Sequence, residues 1–144
     1  MNKFLRKIFP SKEMRAYRKM YRKHRKELIK HAKTIREWDY GYLHDSVMMQ
    51  IRHMYEYYTA GYNVYQCNES KNQIIEQLKH VLDLNAKFDT LWDDWDRDHI
   101  QNEDGSIAAT EKSADSYWTV RNKETALYEE IYSYIGKNIE WWWD

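Results

Sequence analysis

One proline and four glycines in 144 residues leave this chain few places to reverse direction. Turns that need a fixed φ or a left-handed residue draw on those two residue types first. A chain so poor in both must run in long elements. Charged residues make up 32% of it and hydrophobic ones 42%, against about 25% and 45–50% in average domains. Long elements with much solvated surface are helices. No stretch sustains an apolar period of two, and no hairpin signal or internal repeat is present. The expectation is an all-α, four-helix, bundle-like single domain with a long basic N-terminal helix. Residues 1–10 form an N-terminal extension and residues 93–113 an acidic loop.

Ser11 caps the first helix, with Glu13 in its first turn. Met14, Tyr17, Tyr21, His24, Leu28, His31 and Ile35 then fall at alternating spacings of three and four, a seam with tyrosines and histidines among its aliphatics. The second helix starts near Asp39, buries Leu43, Val47, Ile51, Met54 and Tyr58, and ends near Gly61. In the third, Ser70 and Gln73 stand in capping-box register, and Ile74, Leu78, Val81 or Leu82, and Phe88 form the core face. The last runs from about Ala114, with Val120, Leu127, Ile131, Tyr134 or Ile135, Ile139 and Trp142 on one face.

The net charge of zero hides an asymmetry. Residues 1–36 hold 14 Lys+Arg and 2 acids, whereas residues 37–144 hold 9 and 21. Either the basic helix lies against acidic surface, in cis or across a dimer, or it meets phosphate. The run "RAYRKMYRKHRKE" sets Tyr17 and Tyr21 among cations, a mixture that can grip single strands, although both tyrosines also fall on the seam. Cys67 has no second cysteine to pair with. No apolar run approaches the ~20 residues of a membrane span, and "MNKFLRKIFPSK" lacks the features of a secretory signal.

Metal and catalytic motifs are weak. Asp94, Asp96 and Asp98 open like a calcium loop, but His99 and Gly105 stand where the loop needs glycine and a bidentate glutamate. Glu27–His31 and Glu76–His80 are spaced at four, unlike the Glu-x-x-His of di-iron bundles. Nothing resembles a phosphate-cradling glycine loop or a nucleophile elbow. The leading reading is a binding protein, with no catalytic residues, no metal and no cofactor assigned; an enzyme stays open beside it, since general acid–base pairs need no motif, and Asp39 and Asp45 bracket His44.

Two aromatic boxes stand out. Trp38-Asp39-Tyr40-Gly41-Tyr42-Leu43 opens the second helix, and Ile139, Trp142, Trp143 and Asp144 close the sequence. With Met54, Tyr57 and Gln73-Ile74 between them, they resemble a family of small bacteriophage-encoded proteins of unknown function; Gln50 stands where that family carries lysine. The resemblance implies a phage accessory protein of the host bacterial cytoplasm. By association it points to capture of a nucleotide-type host immune signal. A nucleotide needs an aromatic plane and cations. Trp38, Tyr42, Trp142 and Trp143 offer the plane, Arg52, Lys79 and Lys137 the cations, and Asp39 completes the set. In the opposing reading Trp142 closes a core and Asp39 caps a helix. The alternative function is an oligomeric interaction protein that binds a host protein or nucleic acid through its basic helix; the seam favours a homo-oligomer.

Overall fold

The computed structural model describes residues 11–34, 40–61, 68–98 and 111–142. Among them the chain is all-α, with four helices and no strand: α1 Lys12–Ala32, α2 Tyr40–Thr59, α3 Asn68–Asp98 and α4 Glu111–Asn138, followed by a 3₁₀ turn, Ile139–Trp142. The chain divides into two compact units, Met1–Lys71 and Asn72–Asp144.

In the first unit, α1 and α2 pack antiparallel, with Tyr17 against Tyr57, His24 against His53 and His31 against Tyr42. Ser11 caps α1 as expected, its hydroxyl accepting from the Met14 amide at 3.2 Å. The expected seam is present but rotated. Tyr17, Met20, His24, Glu27, Leu28 and His31 turn inward, while Met14 and Tyr21 are exposed. The spacing of three and four is kept; Glu27 takes an inner position because His53 is there to pair with it. On α2 the buried stripe runs through His44, Met48, Ile51 and Tyr58, and Leu43 is 63% exposed. On both helices polar side chains, Glu27 on α1 and His44 and His53 on α2, occupy inner positions that an apolar count passes over.

Gly61 ends α2 with φ +75°, its amide donating to the Tyr58 carbonyl at 3.3 Å. This left-handed cap explains the glycine. Gly136 is different. It lies inside α4, and a Cβ there would meet nothing within 4 Å. Gly61→Ala should therefore lower stability by about 1 kcal/mol, through left-handed strain. Gly136→Ala should raise it by a similar amount, through helix propensity. Urea unfolding of the two variants checks the opposite signs.

In the second unit, α3 and α4 are antiparallel. Phe88 meets Tyr128 near the middle, and His80 meets Tyr134 toward the end of α4. Ile74, Leu78, Val81 and Leu84 from α3 bury against Ile131 and Ile135, with Trp142 from the 3₁₀ turn in the same core. Ile139 is 40% exposed, because the switch to 3₁₀ winding turns it away from the face that Trp142 enters. α3 starts at Asn68, so Ser70 lies within its first turn rather than at its cap. It continues through Asp98, so Asp93 to Asp98 are helical and not loop. α4 begins at Glu111, three residues before Ala114.

Candidate functional site

The described residues hold three chemically distinct sites: a histidine–carboxylate cluster between α1 and α2, the outer face of α1, and an aromatic corner where α3 meets α4.

The first is built from the same short pattern on each helix, a cation, a histidine, two residues and a glutamate. Lys23, His24 and Glu27 lie on α1; Arg52, His53 and Glu56 lie on α2. Because the helices run antiparallel, the two copies pair reciprocally. His24 Nε2 donates to Glu56 Oε2 at 2.9 Å, and His53 Nε2 donates to Glu27 Oε2 at 2.8 Å. Lys23 reaches Glu56 and Arg52 reaches Glu27, each at 3.0 Å. Between them the two imidazoles stack with centroids 3.9 Å apart and planes 8° from parallel. The hydrogen bond from His53 holds the Glu27 carboxyl below its ordinary range despite burial, helped by Arg52 and Lys23. Burial opposes ionisation of Glu56, but bonds from His24 and Lys23 prevail and lower it too. Burial pushes His53 below its ordinary 6.5, against the pull of Glu27 and with the repulsion of His24 and Arg52.

These shifts fix a direction with pH. A histidine whose folded pKa is depressed stabilises fully above its unfolded value and loses that contribution as pH falls. A depressed carboxylate behaves likewise, lower on the scale. The α1–α2 pairing should therefore weaken from about pH 6.5 downward as His53 protonates, and again below about 4.5 as Glu27 and Glu56 do, each proton adding a slope of up to ~1.4 kcal/mol per pH unit. The protection factors of α1 and α2 amides, exchange rates corrected for the intrinsic slowing of exchange in acid, should fall between pH 7.5 and 5.5, and His53→Gln should flatten that change.

One further contact continues this interface. Ser46 donates its hydroxyl hydrogen to the Tyr42 carbonyl at 2.7 Å, so His31 Nε2, 2.9 Å from Ser46 Oγ, is the donor to that hydroxyl oxygen. His31 also stacks on Tyr42, 4.3 Å between centroids.

The second site is the outer face of α1. Arg15, Arg18, Lys19, Arg22, Arg25 and Lys26 are all exposed, and none forms an ion pair among the described residues. A shallow groove of about 670 Å³ runs along Arg15, Arg18, Lys19, Arg22, Lys23 and Lys26, with Glu27 at its edge. A second groove of about 260 Å³ lies between Tyr17, Arg18, Tyr21, Arg22 and Arg25. Tyr21 is 57% exposed and stacks at 27° on the half-buried Tyr17. The expectation that both tyrosines belong to the core thus holds for neither fully: Tyr17 braces, and Tyr21 presents its ring beside three arginines.

At the third site Trp92, Trp95 and Tyr117 touch one another, and Tyr117 touches Trp118 at 5.5 Å and 81°. The indole of Trp92 donates to Glu124 Oε1 at 3.1 Å, and that of Trp95 to Ser116 Oγ at 3.2 Å. Glu124 is buried and is also bonded by Arg121. The signal in the sequence is two aromatic pairs bracketing the acidic stretch.

The residues expected to hold a nucleotide divide between the two units. Tyr42 and Arg52 belong to the first, where Tyr42 stacks on His31 and Arg52 is engaged by Glu27. Lys79, Lys137 and Trp142 belong to the second. Lys79 pairs with Asp83 at 2.6 Å, Lys137 is exposed, and Trp142 is 1% exposed with its indole donating to Gln77 Oε1 at 2.9 Å. Trp38, Asp39 and Trp143 lie outside the described residues, as do the calcium-like side chains of Asp94, Asp96 and Asp98. No group of three or more metal-ligating side chains occurs among the described residues. No described helix is long and apolar enough to cross a membrane. Comparison of the chain with protein-family models, with curated proteins and with solved structures gives no match.

Proposed function

We propose that this chain is a non-catalytic binding protein that holds a nucleotide-type ligand by its phosphates on the outer face of α1, and that single-stranded nucleic acid is the class this face fits. One observation carries the reading: six exposed cations without carboxylate partners among the described residues line α1, and three of them, Arg18, Arg22 and Arg25, border an exposed tyrosine ring. Cations that serve only solubility do not need such company, whereas a strand needs both phosphate contacts and a stacking plane. From Arg15 to Lys26 the row covers roughly 16 Å of helix at 1.5 Å per residue, room for several successive phosphates.

The set proposed around the two aromatic boxes is less favoured as a ligand site. Arg52 and Lys79 already have carboxylates, and Trp142 has no exposed face to offer a base. The phage resemblance suggests that the ligand comes from an infected bacterium, where capture of a host nucleotide signal remains the same chemistry on a shorter frame.

Fluorescence anisotropy with a labelled 15-nucleotide single strand tests the proposal, with duplex and a cyclic dinucleotide as further arms. The single strand should bind tightest, with a log–log salt slope near −4 if all six cations engage, at about −0.7 per phosphate. Tighter, salt-insensitive binding of the cyclic dinucleotide would return the site to the aromatic boxes; no binding of any arm would end the reading.

A further inference from the structure

We infer that Tyr117 and Trp118 form a docking corner for an arginine-bearing segment of a partner polypeptide. The corner stands on a fixed base. Trp92 and Trp95 are half-buried, and their indole N–H groups are spent on Glu124 and Ser116, so neither ring is free to turn. Successive rings meet steeply: 76° between Trp92 and Trp95, 74° between Trp95 and Tyr117, and 81° between Tyr117 and Trp118. Edge-to-face packing of this kind fills the base and leaves the outer two rings as an open right angle. Tyr117 is 40% exposed and Trp118 62%. Single exposed aromatics need no explanation, but two adjoining rings on a rigid aromatic foundation form a patch.

Charge selects the occupant. Asp93 and Asp115 are exposed, without an ion pair among the described residues, and Asp115 precedes Trp118 by one helical turn. A nucleobase would stack on the same rings, yet its phosphates would meet these carboxylates, the reverse of the situation on α1. A cation gains from both features: the ring faces are negative, and the carboxylates add to them. Of the two cationic side chains, arginine has the flat guanidinium that lies against an indole while donating sideways to carboxylate.

The test is titration of the full chain with a 12-residue peptide alternating arginine and serine, read by tryptophan fluorescence and by calorimetry. Its lysine counterpart and an uncharged aromatic peptide serve as comparison arms. The arginine peptide should bind best. Trp118→Ala should weaken it roughly tenfold, the scale of a partly desolvated cation–π contact. Asp115→Asn should weaken it less, and Trp118→Phe should retain most of the affinity. Alanine substitution of Arg18, Arg22, Arg25 and Lys26 on α1 should leave it unchanged, which separates this inference from the phosphate reading. The inference is overturned by equal affinity of the Trp118→Ala chain, or by preference for the uncharged peptide. Self-association that disperses on Trp118→Ala without any peptide would overturn it in favour of a second copy of the chain.

Discussion

Trp142→Ala should destabilise the second unit by about 3–5 kcal/mol, the range for removing a fully buried large aromatic side chain. Trp142 is 1% exposed, among the core residues Leu78, Val81 and Ile131, so truncation opens a cavity among residues that are themselves fully buried. It also breaks a chain of hydrogen bonds. The indole donates to Gln77 Oε1, Gln77 Nε2 donates to Asn138 Oδ1, and Asn138 Nδ2 donates to the Tyr134 carbonyl, at 2.9, 3.0 and 2.8 Å. The 3₁₀ turn is held to α3 through this chain, so its loss should release the turn as well as the core. Trp142→Phe keeps much of the apolar volume but not the donor and should fall between the two. Trp141 is the internal control. It is 68% exposed one residue away, and Trp141→Ala should stay within ~0.5 kcal/mol of the parent. Urea denaturation followed by far-UV circular dichroism distinguishes the three. Equal midpoints for Trp141→Ala and Trp142→Ala would mean that the turn is not docked.

Removing the outer cations of α1 should abolish most ligand capture and leave the fold intact. With Arg18, Arg22, Arg25 and Lys26 all changed to alanine, affinity for a single strand at low salt should drop by about 10²–10³-fold. The salt slope should shrink by about 3, four contacts at ~0.7 each. These side chains are exposed and bond no described carboxylate, so alanine removes no structural contact and is the best helix former. Thermal stability should be unchanged or slightly higher. Tyr21→Ala should cost a further factor of roughly ten, the scale of one stacked base, while Tyr21→Phe should be nearly silent. A variant that loses binding together with helicity would point to the α1–α2 interface instead, where Lys23 rather than its outer neighbours pairs with Glu56.

Helix number, the Ser11 cap, the Gly61 terminus and the place of Ile74, Leu78 and Ile131 in the core were all legible in the amino-acid order, with Val81 one of two candidates. Each rests on local chemistry: a hydroxyl at a helix start, a residue that tolerates positive φ, aliphatics at helical spacing. The rotated faces of α1 and α2 were not. His24 already falls on the expected seam, but Glu27 and His53 look like surface residues one at a time. Glu27 and His53 enter the interface because each finds the other across it, which spacing along one helix cannot reveal. The repeated cation–histidine–x–x–glutamate pattern was present in the text of the sequence, but its meaning depends on antiparallel pairing. The end of α3 and the start of α4 lie beyond what composition indicates for a related reason. Acidic, polar composition from Asp93 onward suggests a loop, while Trp92 and Trp95 packing on Tyr117 supplies the tertiary contact that low propensity withholds. Trp142 illustrates the opposite limit. Its type suits a ring for stacking and a core plug equally, and only burial decides between them.

The central claim is that phosphate-bearing ligand lies along α1 with a base against Tyr21. Ultraviolet crosslinking of a thymidine 15-mer to the intact chain, followed by mass spectrometry of the digested adduct, tests it most directly. The account predicts the principal adduct on the peptide containing Tyr21, lost in Tyr21→Ala and suppressed by high salt. An adduct concentrated instead on the peptides of Trp92, Trp95 or Trp118, with α1 unmodified, would contradict it.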